Sequence, residues 1–236
     1  MDMKSQLYLY HQLREKYIRE LEIINKFFTE RLLPVFSNAE IEAENYEKTL
    51  RSQLDEVVKS GFEEIDADSL DELVKTEALE YYEMISLMNY RTIGMWITCL
   101  CQVWEQQLYS FIIRSGKQEG INYGQDNSFD FCKRVFFEHQ QDLEKMESWK
   151  KIQELRLLVN VLKHSEGKSE RKLRDIRPDY FQQNIDGKIY DIMSFSHSSL
   201  REQALMIKDE DFKNYFDALV QFWTDIPERM YTAYDI

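Results

Sequence analysis

Apolar residues recur three and four positions apart along most of this chain, the spacing that lines one face of an α-helix. Leu13, Tyr17, Leu21, Ile24, Phe27 and Phe28 mark a first helix within residues 7–33, closed by Pro34. Ser37 with Glu40 has the form of a capping box and opens a second helix reaching about Ser60, before Gly61. The acidic stretch 63–68 lacks the alternating ligands and central glycine of a calcium loop. Ser69 with Glu72 repeats the capping-box pattern there instead. Residues 70–114 contain no proline and predict one very long helix, or two that break between Asn89 and Gly94. Met95, Trp96, Leu100, Val103, Trp104, Leu108, Phe111 and Ile112 give its second half a broad apolar face. Arg91, Gln102 and Glu105 group on another side, which reads as exposed.

Gly116, Gly120 and Gly124 punctuate a loop over 116–127. Helical patterns resume over 128–140, over 147–164 and, in a short piece stopped by Pro178, over 169–175. Ile185-Asp186-Gly187-Lys188-Ile189 is the one strand-like stretch and predicts a small hairpin. A last helix covers 209–225, ahead of Pro227. The expectation is a single all-α domain over 1–236, an elongated bundle of about six to eight helices with one small β-hairpin.

Composition supports this. Seven glycines and three prolines are too few for a turn-rich all-β fold. No apolar run approaches the roughly 20 residues of a membrane span, and the N-terminus turns charged too soon for a signal peptide. A soluble, cytoplasmic protein without membrane contact is expected. Cys99, Cys101 and Cys132 are odd in number and lack a framework spacing, so they read as buried, inert thiols. His11, His139 and His197 are isolated; Glu138 and Asp142 beside His139 do not make a metal site. Ser196, Ser198 and Ser199 read as capping residues. No metal and no cofactor is expected.

A net charge of −13 opposes non-specific nucleic-acid binding over the whole surface, but the charge is uneven. Between 163 and 177 the basic residues Lys163, Lys168, Arg171, Lys172, Arg174 and Arg177 face only Glu166, Glu170 and Asp175, a local +3. This patch adjoins the most unusual helix. Over 154–164, ELRLLVNVLKH, apolar side chains fill most of the circumference. With Arg156 at 0°, Asn160 falls at about 40°, His164 at about 80° and Lys163 at about 340°. Such a polar stripe on a largely buried helix needs either internal hydrogen-bond partners or a cleft.

Asn160-Val161-Leu162-Lys163-His164, late in a long helix with Gly167 just beyond, resembles the HEPN superfamily of helical-bundle proteins. Active members resemble metal-independent ribonucleases of toxins and phage-defence systems. In them an arginine, then a polar residue and, with four to six residues intervening after the arginine, a histidine line a cleft at a homodimer interface. The resemblance assigns His164 to the base that activates a ribose 2′-hydroxyl and Asn160 to the polar position. The family's arginine falls where Leu157, Leu158 and Val159 stand; Arg156 lies one residue outside that spacing, on the correct side of the helix. Lys163, Lys168 and Arg171 are the neighbouring phosphate-binding candidates, although lysine lacks the bidentate fork that suits a phosphate. The implied partners are a second copy of the chain, RNA, and an antitoxin or defence-system protein. A second reading keeps the bundle as a non-catalytic interaction or nucleotide-binding module.

Overall fold

The structure, a computed structural model, describes residues 5–59, 66–123, 126, 128–195 and 201–233. Gly61, Glu63, Glu64, Gly124 and residues 196–200, including Ser196, His197, Ser198 and Ser199, lie outside this description.

The protein is mostly α-helical. Strand β1 (Gln6–Tyr8) leads into α1 (His11–Phe27), which runs on through a π-helical turn (Phe28–Leu32) and a 3-10 turn containing Pro34. Helices α2 (Ala39–Lys59), α3 (Ala67–Gln118), α4 (Phe129–Glu138), α5 (Trp149–His164) and α6 (Lys168–Ile176) follow. Strands β2 (Gln182–Ile185) and β3 (Lys188–Asp191) form the expected hairpin, and α7 (Asp209–Asp225) precedes β4 (Arg229–Tyr231). The chain divides into two compact units, one of residues 1–27 with 93–236 and one of residues 28–92.

In the first unit α3 supplies the spine. Ile97, Leu100, Trp104, Leu108, Phe111 and Ile112 are fully buried, and their spacings of three and four put them on one side of the helix. Met95, predicted on this face, is instead 62 % exposed. No break occurs at Gly94: a side chain there would meet Leu162 Cδ2 at 3.3 Å, so the glycine marks where α5 comes close. Around this spine α5 packs against α6 and α7, and α1 packs against α7. Trp223 of α7 lies 4.7 Å from the Tyr17 ring and meets Phe222 and Phe111 edge-on. Gln107 is buried among them with every polar atom used. Its amide donates to the Tyr17 carbonyl (3.1 Å) and Glu20 (3.0 Å), and its oxygen accepts from Trp223 Nε1 (2.8 Å).

The first and last strands were not predicted. β1 and β4 pair antiparallel, Leu7 opposite Met230, and both side chains are buried. Three residues a strand are too few to show an alternation in sequence, and such a ribbon holds only because those two residues seat it on the core.

The second unit pairs α2 antiparallel with residues 67–92 of α3. Tyr46 stacks on Tyr81 at 4.6 Å, and Arg51 Nη2 bonds Asp71 Oδ1 at 2.7 Å. Neither predicted capping box forms. Ser37 Oγ donates back to the Pro34 carbonyl at 2.8 Å, closing the preceding turn, and α2 starts two residues later. Ser69 lies inside the first turn of α3, its hydroxyl donating to Asp66.

Candidate functional site

Helix α5 ends abruptly. Lys163 and His164 occupy its last turn, where positive charge complements the helix dipole. Ser165 N–H donates to the Val161 carbonyl at 2.7 Å, and the backbone then reverses. Ser165 adopts φ 58° and ψ −118°, and Gly167 adopts φ 154° and ψ −158°. Glycine reaches both conformations easily; a side chain does not. Two residues therefore suffice to turn the chain from α5 into α6 and set the two helices side by side.

The predicted stripe lies at the surface. Leu155, Leu158, Val161 and Leu162 are buried, while Asn160, Lys163 and His164 are exposed. The stripe thus needs neither buried partners nor a cleft, because the α3, α6 and α7 contacts leave that side of α5 open. Among the described residues the His164 imidazole has no hydrogen-bond or ion-pair partner, the main chain of its own helix included. Lys168, Arg171 and Lys172 are exposed on the next helix, three and four residues apart and so on one side of it.

Arg156 is placed differently. Its Nε donates to Glu105 Oε1 at 2.7 Å, and its guanidinium carbon sits 3.5 Å from the Phe129 ring centroid. The group is folded onto α3 and α4, away from His164, which lies two turns on, about 12 Å along the helix axis. Arg174 and Arg177 are also committed. Arg174 bonds Glu170 and Asp191 and stacks over Phe181. Four cations of the basic segment therefore stand free among the described residues: Lys163, Lys168, Arg171 and Lys172. Exposed Glu166 and Asp175 accompany them.

Arg177 centres a polar cluster that the sequence did not reveal. Glu154, on an otherwise apolar side of α5, and Asp211 of α7 are both buried. Arg177 Nη1 donates to Glu154 Oε1 and to Tyr180 Oη, each at 2.6 Å. Tyr215 donates to Glu154 Oε1 at 2.9 Å and lies 2.8 Å from the Tyr180 hydroxyl. With the Tyr215 proton spent on Glu154, the Tyr180 proton goes to Tyr215, and a four-member ring closes with every donor used. Arg177 Nη2 also reaches Asp179 (2.7 Å) and Asp211 (3.3 Å). Burial opposes the Arg177 charge, but the Asp179 hydrogen bond, Tyr180 and Glu154 outweigh it and hold the guanidinium above its ordinary range. Burial pushes both tyrosines well up as well. A ring this closed fixes α5, α7 and the chain after α6; it offers no unfilled valence to a ligand.

The remaining predicted elements are structural. His139 is buried, with Nδ1 2.7 Å from the Val135 carbonyl and Nε2 3.4 Å from Ser5 Oγ. Cys101 and Cys132 are buried free thiols, each pushed up to about 12 by that burial. Among the described residues no group of histidine, cysteine and carboxylate side chains could hold a metal ion, and no helix is long and apolar enough to cross a membrane. Comparison with protein-family models, with curated proteins and with solved structures finds no match to this chain.

Proposed function

We propose that this chain is a HEPN-like RNA-directed module whose α5–α6 edge binds the phosphate backbone without cutting it. The observation that carries this reading is the state of Arg156. A cation that stabilises a cleavage transition state must face the scissile phosphate beside the base, and this guanidinium is instead held by Glu105 and Phe129. Binding has no such requirement. Lys163, Lys168, Arg171 and Lys172 offer four exposed charges around one helix–helix turn. Asn160 and His164 add hydrogen-bonding groups for ribose hydroxyls or base edges.

The test is RNA affinity as a function of salt. Four phosphate contacts to single-stranded RNA predict a slope of about −3 in log affinity against log salt, at roughly −0.7 a contact. Combining Lys163→Ala, Lys168→Ala and Arg171→Ala should bring that slope to about −1 and weaken binding about tenfold or more. Affinity and slope unchanged in that variant would end the proposal.

The exposure of His164, clear of its own main chain, favours one second reading: a metal-independent ribonuclease in which His164 takes the 2′-hydroxyl proton and a partner molecule supplies the missing cation. That reading requires cleavage with a cyclic phosphate end, lost on His164→Ala.

A further inference from the structure

We infer that the unit of residues 28–92 is a docking surface for a basic amphipathic helix of a partner protein. This inference is independent of the RNA reading, which concerns the other unit. The charge is the first ground. Sixteen acidic and six basic residues give the unit −10 of the chain's −13. Three of those basic residues are already paired within it: Lys48 with Glu44, Arg51 with Glu47 and Asp71, and Lys75 with Asp71. Glu77, Glu80 and Glu83 have no paired cation among the described residues.

The second ground is apolar surface placed among those charges. Ala43 is the single buried residue of α2. On α3, Leu73, Met84 and Met88 are 48 %, 64 % and 46 % exposed. At about 100° a residue these three fall within about 60° of one another, and Glu77 and Glu80 occupy the same strip, with Arg91 at its end against Met88 Sδ. A hairpin of long helices gains most of its stability from packing its apolar faces, and this one leaves much of that surface in water. Methionine adapts its shape to a seated helix, and the interleaved carboxylates select the sign of the occupant. A second copy of the same surface would bring −10 against −10, and nucleic acid or an anionic lipid surface would be repelled in the same way.

The measurement uses the full chain and two labelled peptides about five turns long, with the same leucine and lysine content. One has its leucines on one helical face; the other has them scrambled. Titration by fluorescence anisotropy should show the amphipathic peptide binding at least about tenfold tighter than the scrambled one. Met84→Ser combined with Met88→Ser should remove that preference, and Glu77→Lys combined with Glu80→Lys should weaken both peptides. All four positions are at least partly exposed, so the thermal transition should stay put, which separates lost docking from lost folding. Equal affinity for the two peptides, or a preference that survives the methionine substitutions, overturns the inference. So does a dimer in sedimentation that those same substitutions dissolve, because the surface would then belong to a second copy.

Discussion

Arg156 Nε lies 2.7 Å from Glu105 Oε1, across 51 residues of sequence, while the same guanidinium covers the Phe129 ring. The pair ties α5 to α3 and α4. It also removes from the α5 edge the one arginine that the family resemblance would have used. Arg156→Ala is expected to cost about 1–2 kcal/mol, from a half-exposed ion pair and a close cation–π contact. RNA affinity should be unchanged, and Glu105→Gln, which loosens the guanidinium, should not create cleavage. Chemical denaturation and an RNA-cleavage assay check the two halves.

The ring around Arg177 is predicted to be the strongest polar contribution in the first unit. Arg177→Met leaves buried Asp211 without its cation and Glu154 with Lys151 alone, and should cost about 2–3 kcal/mol. Tyr215→Phe breaks the ring at one bond and should cost about 1–2 kcal/mol. Because the two residues share Glu154, the double variant should lose less than the sum, with a coupling of about 1 kcal/mol or more. Additive losses in denaturant titrations would mean that the ring does not act as a unit.

The turn between α5 and α6 carries strain at one residue only. Ser165→Gly should stabilise the protein by about 1 kcal/mol, since glycine adopts φ 58°, ψ −118° without penalty. Gly167→Ala should destabilise by about 1–3 kcal/mol through backbone conformation alone, because nothing lies within 4 Å of the added carbon. Thermal melts of the two variants should therefore move in opposite directions.

Alkaline pH should weaken the fold through two buried thiols. Cys101 and Cys132 are pushed up to about 12, against 9.0 for an ordinary thiol. The folded state holds those protons while the unfolded state releases them. Their stabilisation is therefore complete below about pH 9 and is lost as pH rises toward 12. Between pH 9 and 10 the two thiols together should cost about 2 kcal/mol, and replacing both with alanine should flatten that part of the stability curve. In the native protein Cys99, half-buried, should react first with a thiol reagent.

Local signals in the sequence carried far. The bounds of α7, the outer limits of α3 and the Asp186-Gly187 hairpin turn, with φ 51° and 80°, all follow from periodicity and turn chemistry within a few residues, whereas the absence of a break at Gly94 was left open by the sequence. Missed features were those decided by distant partners. Arg177 meets Glu154 and Asp211 at separations of 23 and 34 residues, and β1 meets β4 from opposite ends of the chain. The capping boxes failed because Ser37 closes the Pro34 turn two residues before α2 begins, and Ser69 lies inside the first turn of α3 rather than ahead of it. For the candidate site, helical angles put Asn160, Lys163 and His164 on one edge, where they stand. The fate of Arg156 was illegible, since nothing near it in sequence points to Glu105 or Phe129.

The most direct test incubates the wild-type chain with a stem-loop RNA in chelator at low salt, then examines the RNA on native and denaturing gels. The account predicts a shifted but intact RNA, with the shift abolished when Lys163, Lys168 and Arg171 are replaced together. RNA fragments ending in a cyclic phosphate, absent with His164→Ala, would contradict it, as would an RNA that never shifts.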